Sequence, residues 1–150
     1  MDKADREKDL RLESQLCFAL YGASLALSRR YKPLLDPLGL TYPQYLAMMA
    51  LWETDHQPVK SLGEKLNLDS GTLSPLLKRL EQAGYVTRRR GSKDERQVKI
   101  SLTEAGAALK PKALDVMAAI GAATGCSYDD MSKLRNELKS LRDHLMTAHD

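Results

Sequence analysis

The sequence predicts a mainly α-helical chain with one small β-hairpin. Apolar residues recur every three or four positions along most of its length, the mark of helices with one buried stripe. The period falls to two at Val98, Ile100 and Leu102, which alternate with Gln97, Lys99 and Ser101, as a half-buried strand requires. With 43% apolar and 29% charged residues among 150, the chain can fill a core and does not have the composition of a disordered one.

Taken in order, Leu12, Leu16, Leu20, Ala23, Leu27, Tyr31 and Leu34 form one stripe of a long first helix, and apolar residues at 17–19 predict that it is buried on more than one side. Pro33, Pro37 and Gly39 predict a break across Lys32–Leu38. Thr41, followed by Pro43 and Gln44, reads as the N-cap of a helix running to about Thr54, and Asp55–Pro58 as a polar turn. A short helix over Ser61–Leu66 and a turn at Asn67–Gly71 then lead to Leu73, Leu76, Leu77 and Leu80, an amphipathic helix closed by Gly84. Pro75 in its first turns removes a backbone donor. Tyr85–Arg90 and Val98–Leu102 flank the charged tip Gly91–Arg96. The whole of this region reads as a helix-turn-helix with a β-hairpin wing, a winged helix-turn-helix. Thr103 opens a helical stretch to Ile120, with breaks expected at Gly121, Gly125 and Ser127. Met131, Leu134, Leu138, Leu141 and Leu145 step 3, 4, 3, 4, a coiled-coil-like seam that needs a partner surface.

Several function classes drop out. The longest nearly apolar run, Leu16–Leu27, has 12 residues, whereas a membrane span takes roughly 20. Met1–Asp9 alternates charges and has no apolar signal region, so the expected compartment is the cytosol. Two cysteines make neither a four-cysteine zinc site nor a dense disulfide scaffold. His56, His144 and His149 have no HExxH or CxxC company, and no GxSxG, P-loop or GxGxxG is present. No metal, cofactor or enzymatic activity is expected.

Charge position is more telling than the net charge of +3. Between Ser70 and Leu102, Lys78, Arg79, Arg88, Arg89, Arg90, Lys93, Arg96 and Lys99 face only Glu81, Asp94 and Glu95. That is a local +5, against −2 over the other 117 residues. Such clustering suits a polyanion, because each neutralised phosphate releases counterions. Ser70, Thr72 and Ser74 open the second helix of the pair, where base edges are read, and Lys78 and Arg79 lie further along, where phosphates are met. Ser70 could equally be only the helix cap. The expected partner is double-stranded DNA.

Leu62–Leu80, Gly84–Arg90 and above all Asp94-Glu95-Arg96 with Ile100-Ser101-Leu102-Thr103-Glu104-Ala105-Gly106 resemble the multiple antibiotic resistance regulators, the MarR family, over about residues 12–146. The resemblance implies a single domain over 1–150. Residues of about 10–35 and 104–148 would form dimerisation helices, and about 41–102 the DNA-binding region. It also implies that Arg96 enters a minor groove, where a narrow groove attracts a guanidinium, with Asp94 fixing its aim.

Within that family, Cys17, with Tyr31 and Tyr42 following 14 and 25 residues later and Asp69-Ser70-Gly71-Thr72-Leu73 in the recognition helix, resembles the organic hydroperoxide resistance regulators. That resemblance implies that Cys17 is the peroxide-sensing thiol. It implies that Tyr31 and Tyr42 of the other subunit hydrogen-bond to it, and that Cys126 stands where a two-cysteine subclass carries its resolving thiol. A sensor needs thiolate character and access for peroxide, and phenols can donate to sulfur without adding charge. Glu13, one turn ahead of Cys17 on a continuous helix, would oppose a thiolate. The implied protein is a homodimeric repressor that holds a pseudo-palindromic operator and releases it on meeting organic hydroperoxides. A repressor released by a phenolic or aromatic ligand is the alternative, and an effector-free DNA binder a third.

Overall fold

The three-and-four apolar repeat becomes eight α-helices among the described residues, and the period-two stretch becomes the central strand of a small sheet. A computed structural model describes residues 1–90 and 97–148, and the chain divides into two units, Met1–Val116 and Met117–Asp150. The first holds α1 (Lys3–Asp9), α2 (Leu16–Leu35), α3 (Tyr42–Glu53), β1 (Gln57–Pro58), α4 (Val59–Leu66), α5 (Ser70–Gln82), β2 (Val86–Arg90), β3 (Val98–Leu102), α6 (Glu104–Ala108) and the start of α7 (Lys110–Thr124). The second holds the end of α7 and all of α8 (Tyr128–Thr147).

Local chemistry sets the boundaries. Thr41 and Gln44 form a reciprocal capping box at α3: the Thr41 hydroxyl accepts the Gln44 amide, and Gln44 Oε1 accepts the Thr41 amide at 2.9 Å. Asp69 caps α5, Thr103 caps α6 and Ser127 caps α8. Gly84 (φ 82°) and Gly125 (φ 67°) take left-handed conformations just past α5 and α7, where a side chain would be strained. The core of the first unit is Leu35, Leu38, Tyr45, Met48, Leu51, Leu62, Leu73, Leu77, Leu80, Val86 and Ile100. Burial of each such side chain contributes about 1.5–3 kcal/mol.

Several sequence expectations are corrected. Leu12 lies outside the long helix, in a separate 3-10 turn over Leu12–Ser14, and α2 begins at Leu16. Helix α1 was not anticipated. Pro33 does not stop α2, which continues to Leu35: a proline near a helix end forfeits one backbone bond, and the chain then tightens into a 3-10 turn at Asp36–Leu38. Helix α2 is not buried within the chain, since Leu16, Phe18 and Tyr21 are 60%, 51% and 63% exposed. The Asp55–Pro58 turn contains a strand. Asp69, not Ser70, is the cap of α5. Gly121 lies within α7, which ends only at Thr124.

Strand β3 is central in the order β1-β3-β2, antiparallel to both neighbours. The side chain of Gln57 is buried, its Nε2 donating to the carbonyls of Ala50 (2.8 Å) and Thr54. The far end of β3 is clasped by Asp55, whose Oδ1 accepts the amides of Leu102 (2.8 Å) and His56 (2.7 Å). Both legs of the hairpin are rooted at Tyr85, whose carbonyl accepts the Thr103 amide at 3.0 Å and whose hydroxyl donates to Leu38 O at 2.8 Å.

Gly106 makes this root. A Cβ there would lie 2.1 Å from the Tyr85 carbonyl oxygen, so only glycine allows the close approach of α6. Gly106→Ala is expected to destabilise the protein by about 3 kcal/mol, because backbone rather than a flexible side chain must give way. Urea unfolding of the variant and the parent measures the difference.

Candidate nucleic-acid interface and sensor site

Helix α5 offers its apolar row, Leu73, Leu76, Leu77 and Leu80, to the core and leaves Ser70, Thr72, Ser74, Lys78 and Arg79 exposed. Ser70, Ser74 and Lys78 follow at four-residue steps on one face. The Asp69 carboxylate is held below its ordinary range by the Thr72 amide and hydroxyl, so the charged form that caps α5 is the stable one at neutral pH.

The hairpin changes character along its length. Val86, Arg88 and Arg90 share a face with their partners Leu102, Ile100 and Val98. That face is apolar and buried at the root and basic towards the tip. Arg88 and Arg90 line a cleft of about 250 Å³ with Glu81 and Val98. On the opposite face Arg89 stands directly across from Lys99, both exposed. Like charges in that position destabilise a strand pair, and an anion between them would relieve the repulsion. Lys93, Asp94 and Arg96 lie outside the described residues. A second cleft, of about 440 Å³, adds Lys60 and Ser61 at the start of α4, next to Ser74 and Arg88. Sequence reasoning missed these two because they stand at the start of a predicted helix that carries no basic run.

Cys17 occupies the first turn of α2 and is exposed within the chain; Cys126 is exposed between α7 and α8, its Sγ donating to Thr124 O at 3.6 Å. Glu13 is not one helical turn ahead of Cys17. It lies on the separate 3-10 turn and pairs with Arg11 at 3.8 Å. Tyr31 and Tyr42 come together, with ring centroids 4.8 Å apart. Tyr45 completes the cluster, 5.9 Å from Tyr31 and 6.4 Å from Tyr42, and meets Trp52 edge-on at 6.3 Å. The step of three from Tyr42 to Tyr45 was the available signal for this third ring.

The tyrosines do not reach the thiol of their own chain. Cys17 and Tyr31 are 14 residues apart on one uninterrupted helix, which at 1.5 Å per residue separates them by about 21 Å. Among the described residues no group of three or more His, Cys, Asp and Glu side chains could hold a metal ion, and no helix is long and apolar enough to cross a membrane.

Residues 29–112 match the family of the transcriptional regulator SarA/Rot. Over 136 residues, covering 91% of this chain and 92% of the relative, the sequence is 52% identical to the organic hydroperoxide resistance transcriptional regulator of Bacillus subtilis strain 168. The chain belongs to the MarR/SarA family of winged helix-turn-helix transcriptional regulators. It is thus a DNA-binding regulator and not an enzyme. Among solved structures, reduced AbfR bound to DNA superposes with a TM-score of 0.78 at 38% identity, covering 94% of this chain and 99% of that one. A disulfide-formed AbfR gives 0.69 at 36%, covering 98% and 100%.

In this MarR/SarA chain the phenol of Tyr31 is pushed up to about 12 from its ordinary 10.0, first by burial and then by Tyr42 and Tyr45. Burial and Tyr42 raise Tyr45 as well. Tyr31 therefore remains a hydroxyl donor throughout the physiological range. A raised folded-state value means its contribution to stability is intact below pH 10 and is lost as pH climbs from 10 towards 12. Urea unfolding across that range should show a fall in stability, and Tyr31→Phe should remove part of the slope. An identical slope in the variant would place the titrating group elsewhere.

Proposed function

We propose that the protein is a homodimeric repressor that releases its operator when Cys17 is oxidised by an organic hydroperoxide. The observation that carries this reading is the pairing of Tyr31 and Tyr42 about 21 Å from the Cys17 of their own chain. A thiol–phenol contact then requires a second copy. Cys17, Ser24 and Tyr31 are spaced by heptads, and drift of about 20° per heptad keeps them on one helix face. A two-fold axis at Ser24 would set each Cys17 against the Tyr31 of an antiparallel α2. Gly22 has open space where a Cβ would be, and the uncovered Leu16, Phe18 and Tyr21 supply apolar surface for such an interface. The stretches of about 10–35 and 104–148 serve as dimerisation helices in this reading, including the Leu134–Leu145 seam. The region of about 41–102 binds DNA in the cytoplasm.

The reduced dimer places its two α5 helices in successive major grooves of a pseudo-palindromic operator. Ser70, Thr72 and Ser74 face bases, while Lys78, Arg79, Arg88, Arg89, Arg90 and Lys93 face phosphates. Arg96, aimed by Asp94, enters the flanking minor groove. The B. subtilis relative is named for organic hydroperoxide resistance, and AbfR is known both reduced on DNA and in a disulfide form, which supports a redox effector here.

Chemically, the Cys17 thiolate attacks one peroxide oxygen; an S–O bond forms, the O–O bond breaks, and the alkoxide leaves as an alcohol after taking a proton. The Cys126 thiolate of the other subunit then attacks the sulfenic sulfur, forming the disulfide and releasing the hydroxyl as water.

With cumene hydroperoxide, the parent should lose DNA in a gel-shift titration and form a covalent dimer that reductant collapses. Cys17→Ser should bind DNA and ignore peroxide. Cys126→Ser should form no covalent dimer while Cys17 still oxidises. Release by salicylate and not by peroxide would overturn the reading in favour of a bound aromatic effector, and release by neither would leave an effector-free DNA binder.

A further inference from the structure

The proposed sensing chemistry uses Tyr31 and Tyr42, but two further aromatic rings lie behind them. We propose that Trp52 is a positioning residue that ties the sensor tyrosines to the root of the wing, so that oxidation of Cys17 is felt at the DNA-contacting hairpin. This rests on the peroxide-sensing reading above.

Contacts on both sides of Trp52 support the assignment. On one side Tyr45, only 3% exposed, is packed among Tyr31, Tyr42 and Trp52 at centroid distances of 5.9, 6.4 and 6.3 Å. Interiors are close-packed, so a shift of Tyr31 or Tyr42 on losing a thiol partner must be shared by Tyr45 and the indole edge against it. Tyr45 and Trp52 are seven residues apart on α3, two turns along one face, which carries the contact about 10 Å through the unit.

On the other side the indole Nε1–H donates to the carbonyl of Gly106 at 2.9 Å, 54 residues away in sequence. Gly106 is in direct backbone contact with Tyr85, the residue before β2. Tyr85 O in turn holds the amide of Thr103, the residue after β3. Both legs of the hairpin therefore meet at the point the indole grips. In this proposal that hydrogen bond is the two-state element: made, as here, it holds α6 and the hairpin root against α3; broken, it would free them to shift together. A physical element with two arrangements, which both sites bias, is what coupling requires.

Trp52 is the sole tryptophan of the chain, so the indole emission of the intact protein, excited selectively over tyrosine, reports on this residue alone. Oxidation of full-length parent with cumene hydroperoxide should change that emission, and Cys17→Ser should show no change. In parallel, Trp52→Phe keeps a ring and removes the donor. For a duplex selected from a random pool by the reduced parent, the variant should bind within a few-fold of the parent when reduced. Its Cys17 should lose its thiol at the parental rate. The ratio of reduced to oxidised affinity should fall about tenfold, the scale of a typical coupling between sites.

A merely structural Trp52 would lower the melting temperature and leave that ratio at the parental value, which overturns the proposal. So would an unchanged emission on oxidation, which also stands as the test if the variant folds poorly. A parent that keeps its DNA after peroxide overturns the sensing reading and this inference together. A parent that releases DNA alongside a Trp52→Phe that releases it equally well overturns the inference alone.

Discussion

The stiffness of α2 is the constraint on which the account depends. Twenty residues of uninterrupted helix fix Cys17 at one end and Tyr31 near the other, about 21 Å apart, and no side-chain rotation closes that gap. The capping box at Thr41 and Gln44 then starts α3 at the point that sets Tyr42 against Tyr31, the rings tilted, and buries Tyr45 behind both. In the proposed dimer each end of α2 would supply half of a thiol site, two copies would complete two sites, and the same pairing would cover the bare apolar face of α2.

The wing follows a different logic. Its root is apolar and sterically exact, with Val86 and Ile100 buried and Gly106 against Tyr85, while its outer part sets Arg89 opposite Lys99 and Arg88 beside Arg90. The free protein gives up some strand-pair stability to hold those charges together, and the deficit is what a phosphate backbone can relieve.

Much of this was legible in the sequence because it is local. The capping residues Thr41 and Thr103, the αL turn at Gly84, the leucine row of α5 and the alternation of β3 each declare themselves within a few positions. What was missed depends on partners distant in sequence. A two-residue strand at Gln57–Pro58 has no period to show and exists only because β3 lies beside it. The run of apolar residues in α2 read as interior, but among the described residues nothing covers it. Pro33 read as a stop, yet so near a helix end it sacrifices a single bond. Trp52 carried no signal at all, because its acceptor is a backbone carbonyl 54 residues away.

Mixed dimers test the central claim, that the thiol of one copy is served by the tyrosines of the other. One chain carries Cys17→Ser and the second carries Tyr31→Phe with Tyr42→Phe. If the sites form between copies, the mixed dimer keeps one intact site, with Cys17 from the second chain and both phenols from the first. Half of its sites should then lose the Cys17 thiol to cumene hydroperoxide at the parental rate. If the mixed dimer reacts no faster than the dimer of Tyr31→Phe, Tyr42→Phe chains alone, the phenols do not serve a thiol across the interface and the account is wrong.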